Sequence, residues 1–181
     1  MTDVPYPPAF ERAVTHTLRV EGGARLANNK FDPGGKTKYG ISQKSYPNLN
    51  IELLTEAEAI DIYFRDYWLA CRLGLIDSPY VAAEIFDTAV NCGTGTAVKI
   101  AQRAVNLLFI GKVLEVNGKM NPETIDALNE LSKRYELPLV LCLNLHQGIR
   151  YIEIFKSNPG NFKNVIKGWM KRLAPPMELL T

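Results

Sequence analysis

Apolar residues recur at helical spacing along most of this chain, and the main exception is one stretch near its start. From Pro8 onward, Phe10, Val14, Thr17 and Leu18 fall at three- and four-residue intervals. They predict a helix ending at Glu21-Gly22-Gly23, where glycine makes a left-handed cap easy. Residues 22–40 lose that period, are rich in Gly, Asn and Lys, and contain Asp32-Pro33-Gly34-Gly35. They predict a loop or a small β-hairpin. Thr55 with Glu58 three residues on is a capping-box pattern, and Ile60, Phe64, Tyr67 and Trp68 give the helix behind it an apolar face. Further helices are predicted from Ser78-Pro79 to near Gly93, from about Thr96 to Phe109, and from Pro122 to Tyr135 with Asn121 as cap. The apolar run LPLVLCLNLHQGIRYIEIFKS predicts a long helix buried on most sides. The chain closes on an amphipathic segment, with Phe162, Val165, Ile166, Trp169, Met170 and Leu173 on one face and Lys163, Lys167, Lys171 and Arg172 on the others. The expected fold class is all-α, with a short irregular or β segment near the N-terminus.

Composition leaves that picture intact and narrows the partners. At 181 residues, 46% hydrophobic and 22% charged, the chain is long and apolar enough for a sizeable core. A net charge of +2, from 21 basic and 19 acidic residues, is too balanced for a nucleic-acid partner. Cys71, Cys92 and Cys142 are odd in number and form no CxxC pair, so neither a disulfide framework nor a zinc ribbon is expected. The N-terminus MTDVPYPPAF has no basic region followed by an apolar one, and no apolar run reaches the roughly 18 residues of a membrane span. Synthesis in the cytoplasm without a classical signal peptide is the expectation.

The chemistry concentrates at residues 20–42. A carboxylate placed at a helix C-terminus faces the negative end of the helix dipole, an unfavourable position that raises its pKa. A general acid working near neutral pH needs that shift. Glu21 is so placed, and the glycines after it leave room for a bulky substrate. Asp32 and Thr37 follow on the loop. Glycoside cleavage requires a proton donor to the leaving oxygen and a second polar group that activates water or stabilises positive charge. Glu21 and Asp32, with Thr37 orienting water, fit those roles. The same residues also fit a helix stop, an Asx turn and the start of a strand, so their chemistry leaves both readings open.

The order Glu21-Gly22-Gly23, then Asp32-Pro33-Gly34-Gly35, Thr37, Gly40 and Ile41, resembles the N-terminal signature of glycoside hydrolase family 108. The resemblance continues through YFRDYW (63–68), Asp87-x-Ala89-Val90-Asn91-x-Gly93, VNGKMNPETIDAL (116–128) and Gly168-Trp169-x-x-Arg172. The chain departs from the family pattern at Ala24-Arg25, where an aromatic commonly follows the glycines, and at Asn117, where an aspartate is usual. The resemblance implies a lysozyme-like helical fold and N-acetylmuramidase activity on peptidoglycan glycan strands, without metal or cofactor. Glu21 would be the general acid, with Asp32 and Thr37 as its catalytic partners. It also implies a lysozyme-like catalytic part over residues 1–78 and a helical, peptidoglycan-binding-like part over residues 79–181, packed as one compact monomer. Such a protein is made in the bacterial cytoplasm and acts in the periplasm or cell wall, reached through a phage holin or a specialised export route.

Other residues offer competing chemistry. Asp87 and Asn91 are one helical turn apart and share a face, either to contact a sugar or to form a buried polar tie. Tyr39, Tyr63, Tyr67 and Trp68 fit either sugar stacking or core roles, and Tyr39 is the candidate among them for sugar contact. Cys142 and His146 are placed on one face of an apolar helix, as packed residues or as a nucleophile and base. With only His16 and His146 as histidines and no HExxH pattern, a zinc amidase is poorly matched. The basic face of the final segment suits solvent, an anionic wall polymer or inner-membrane lipid. The alternatives to a muramidase are a non-catalytic peptidoglycan-binding or structural protein, and a wall amidase or endopeptidase.

Overall fold

The computed structural model describes residues 5–20, 26–28, 35–109, 113–157 and 173. The chain divides into two compact units, Met1–Ala70 and Cys71–Thr181.

In the first unit, helix α1 (Pro8–Val20) buries Phe10, Ala13, Val14, Thr17 and Leu18. That is the face the apolar spacing predicts. The Phe10 ring sits among Tyr6, Phe64 and Trp68, with centroids 5.2, 4.9 and 5.4 Å away. Tilted aromatic contacts of this kind add to simple burial. The Tyr6 hydroxyl donates to Asp61, and that bond, with burial, pushes the phenol up to about 12. A three-stranded antiparallel sheet follows, in the order β1 (Ala27–Asn28), β2 (Lys36–Lys38), β3 (Ile41–Ser42). Both sequence alternatives for residues 22–40 are thereby narrowed to short strands among the described positions.

Helix α2 (Glu56–Tyr63) starts with the predicted capping box. Thr55 accepts from the Glu58 N–H, and the Glu58 carboxylate accepts from the Thr55 N–H at 2.8 Å. The Thr55 N–H and the Thr55 hydroxyl, which also donates to the Glu58 carboxylate at 2.8 Å, hold the Glu58 carboxyl below the usual carboxylate range. Thr55→Ala should therefore cost about 1 kcal/mol of stability in urea unfolding, the usual effect of losing an N-cap. Parallel, unshifted unfolding curves would contradict this. Past Tyr63 the chain turns π-helical over Phe64–Leu69, where periodicity predicts a plain α-helix. The residues this stretch delivers to the Phe10 cluster are Phe64 and Trp68, and tertiary packing of that kind is invisible to a period.

The second unit begins with a 3₁₀ turn (Leu73–Leu75) and three helices, α3 (Pro79–Cys92), α4 (Thr94–Leu108) and α5 (Pro122–Ser157). Ser78 caps α3 by accepting from the Val81 N–H at 3.1 Å, and Pro79 occupies its first position. Gly93 separates α3 from α4 at φ 84°, a left-handed value that a side chain would strain. The backbone of α5 leaves helical geometry at Tyr135 (φ −138°, ψ 41°), so it is the two helices that the sequence predicts. Asn121 caps the first, accepting from the Thr124 N–H at 2.9 Å.

The second half of α5 differs from expectation. Leu139, Val140, Leu143, Asn144, Gln147, Gly148 and Tyr151 are buried, while Leu141, Leu145, Ile149 and Ile152 are each more than 40% exposed. An apolar run cannot by itself show how many neighbours a helix has; here α3 and α4 pack against one side. No described helix is long and apolar enough to cross a membrane. All three cysteines are free thiols.

Candidate active site

Glu21 and Asp32 lie outside the described residues, as do the basic positions Lys163, Lys167, Lys171 and Arg172. Helix α1 ends at Val20, the residue directly before Glu21. The described part of the signature is its second half, the β2–β3 hairpin. Lys38 pairs with Ile41 across a two-residue turn, Tyr39-Gly40, with φ of 52° and 77°. Positive φ at both central positions is the turn whose twist matches antiparallel strands. The Tyr63 hydroxyl clamps it by donating to the Tyr39 carbonyl at 2.8 Å.

This turn fixes Thr37. Lys36 reaches the Glu52 carboxylate at 2.9 Å, and Lys38 donates to the Glu52 carbonyl at 3.0 Å, so both lysines project to one face. Side chains alternate along a strand, and Thr37 therefore projects to the other. Its backbone pairs with Ala27 on one side and Ser42 on the other. Tyr39 is 8% exposed, with Lys38 Nζ 5.6 Å from its ring centroid. Burial leaves little of that ring for stacking, and its contribution is to the turn. Tyr63 and Trp68 are both 1% exposed and are core residues.

In the second unit, Asp87 and Asn91 come together as their spacing predicts. Asn91 Nδ2 donates to the Asp87 carbonyl at 2.8 Å and to Asp87 Oδ2 at 3.3 Å. Sequence reasoning missed the groups behind them. Gln147 of α5 donates through Nε2 to Asp87 Oδ2 at 3.0 Å. Glu84, three residues before Asp87, is buried, and burial, reinforced by the Asp87 carboxylate, pushes its carboxyl up to about 8 despite an opposing hydrogen bond from Asn144. Asn144 Oδ1 and Gln147 Oε1 are buried with no hydrogen-bond partner. Each such oxygen costs about 1–3 kcal/mol relative to a satisfied one. A signal for this cluster was present: a lone glutamate in the apolar run VAAEIF, and two amides three apart in an apolar helix.

The rival chemistries find less support in the geometry. Burial raises the Cys142 thiol, while burial and then Arg103 lower the His146 imidazole, so both groups are driven towards their neutral forms. A thiolate–imidazolium pair needs the reverse. Among the described residues no three His, Cys, Asp or Glu side chains are grouped to hold a metal ion. Asn117, the departure in the later motif, is used inside its own loop. Its Oδ1 accepts from Gln102 Nε2 at 3.0 Å and from the Lys119 N–H at 2.9 Å. Gln102 Oε1 in turn accepts from the Gly118 N–H at 2.9 Å.

Comparison with known proteins agrees with this architecture. Residues 14–93 match the family model Glycosyl hydrolase 108, and residues 96–174 match Predicted Peptidoglycan domain. Glu21, Asp32, Thr37, Tyr39, Asp87 and Asn91 all fall inside the first segment. A solved structure of SagA from Brucella abortus is similar in fold, with a TM-score of 0.70 and 24% identity over 91% of this chain and 88% of that one. No curated protein matches the chain. Residues 14–93 thus carry a glycosyl hydrolase 108 segment and residues 96–174 a predicted peptidoglycan segment, on a mainly α, lysozyme-like fold, which makes the chain a peptidoglycan hydrolase of the glycoside hydrolase class.

Proposed function

We propose that the protein is an N-acetylmuramidase that cleaves the β-1,4 bond between N-acetylmuramic acid and N-acetylglucosamine. The observation that carries this reading is the signature from Glu21 to Ile41, lying inside the matched glycosyl hydrolase segment and presenting Thr37 from a clamped, paired strand. Glu21 gives its proton to the glycosidic oxygen as the bond from that oxygen to C1 breaks. Asp32 takes a proton from the attacking water, which Thr37 orients, and stabilises the oxocarbenium-like charge at C1. Water arriving on the face opposite the leaving sugar inverts the anomeric centre. Asp87 and Asn91 hydrogen-bond the substrate, and Tyr39 serves the site through the turn that carries Thr37.

Residues 1–78 would carry the cleavage and residues 79–181 the hold on the wall. The protein works as a monomer, made in the cytoplasm and reaching the wall as a phage endolysin through a holin or by a dedicated export route. Digestion of purified sacculi tests the bond class. New reducing sugars should accumulate while free amino groups stay constant. Release of amino groups without reducing sugars would replace this reading with an amidase or endopeptidase.

A further inference from the structure

The arrangement around Asp87 contains a choice that packing does not explain. Gln147 is fully buried on α5, among Leu143, Asn144 and Tyr151, in a position where leucine or methionine would fill the space. A carboxylate can only accept hydrogen bonds, so the amide must turn its N–H towards Asp87, and it does so at 3.0 Å. That orientation leaves Gln147 Oε1 buried without a partner. An apolar residue would avoid the unsatisfied oxygen altogether. The return for keeping the amide is directional: together with Asn91 Nδ2 at 3.3 Å, it brings two donors from two helices onto the same Asp87 oxygen. Two donors on Oδ2 define the plane and rotation of the carboxylate.

We infer that Gln147 is a positioning residue for peptidoglycan hydrolysis, holding the Asp87 carboxylate in the orientation that meets the glycan. The inference rests on the proposed role of Asp87 as a substrate contact. Glu84 on α3 interacts electrostatically with Asp87; α5 carries Cys142, His146, Arg150 and Tyr151 within five residues of Gln147, and α4 carries Lys99 and Arg103, the latter acting on His146. A hydrogen bond to a substrate-binding carboxylate acts on binding in the ground state and transition state alike, so its loss should raise KM and leave kcat alone.

The test uses the full chain, soluble uncrosslinked glycan strands as substrate, and three variants whose folding is checked by melting curves. Asp87→Ala reads the Asp87 assignment by itself: a raised KM supports it, and a wild-type KM removes it and the inference with it. Gln147→Met keeps volume and deletes the donor, and should raise KM roughly tenfold at every pH with kcat unchanged. Gln147→Glu supplies a donor only while the new carboxyl is protonated. Its KM should approach wild type at acid pH and climb as that carboxyl ionises. A raised KM for Asp87→Ala beside a wild-type KM for Gln147→Met would overturn the positioning role while sparing Asp87. If the methionine variant does not fold, the glutamate variant decides: a KM that follows the wild-type pH profile overturns the inference.

Discussion

Replacing Glu21 by glutamine should lower the rate of glycan cleavage by about 100-fold or more, the low end for lost general acid–base catalysis. The amide keeps the size and polarity of the carboxyl but has no proton to give the glycosidic oxygen. Binding should persist, so the loss belongs in kcat. Stability should stay constant or rise slightly, because Glu21 follows the last residue of α1 and its charge opposes the helix dipole by about 0.3–1 kcal/mol. Rates on solubilised glycan strands, with melting curves on the same preparations, check both parts. A folded Glu21→Gln variant with wild-type turnover would remove the catalytic assignment.

Glu84→Gln should change stability with a distinctive pH dependence. Burial, with Asp87 adding to it, lifts the Glu84 carboxyl from near 4.5 to about 8 in the folded protein. Below pH 4.5 the group is protonated in both folded and unfolded chains and contributes nothing. Between 4.5 and 8 the unfolded chain releases the proton while the folded protein keeps it, so stability falls as pH rises. Above 8 the loss is complete. At about 1.4 kcal/mol per pKa unit, the penalty at pH 7 is on the order of 3 kcal/mol. Glutamine cannot ionise, and the variant should therefore match wild type near pH 4.5 and exceed it increasingly up to pH 8. Urea unfolding at pH 4.5, 7 and 8.5 makes the comparison. A difference that stays constant across that range would show that Glu84 is not held as the neutral acid.

The helices were legible because their signals are local. Thr55 and Glu58 announce a capping box, Ser78-Pro79 an N-terminus, and Gly93 a break, and each acts within four residues. The hairpin was half legible. Tyr39-Gly40 is an uncommon occupant of a turn with two positive φ values, and the Tyr63 bond that secures it comes from 24 residues away. The π-helical turn at Phe64–Leu69 and the one-sided burial of α5 depend on neighbours that a hydrophobic period does not name.

The site divides in the same way. Asp87 and Asn91 were found from helical spacing, which fixes their common face. Gln147 lies 60 positions from Asp87, and nothing in either neighbourhood points to the other. Glu84 stands in the sequence as one charge in an apolar helix, yet it holds the strongest upward shift of any described carboxyl group. Tyr39 reads in sequence as a stacking surface or a core residue, and its burial in the turn beside Thr37 is something that spacing does not show.

The most direct test of the central claim is the chemical identity of the new chain ends. Purified peptidoglycan is digested with wild type and with Glu21→Gln, the products are reduced with borohydride, and the reduced sugars are identified by mass spectrometry. The account predicts reduced N-acetylmuramic acid ends from wild type and none above background from the variant. Reduced N-acetylglucosamine ends, or muramic acid ends formed equally well by the folded variant, would contradict it.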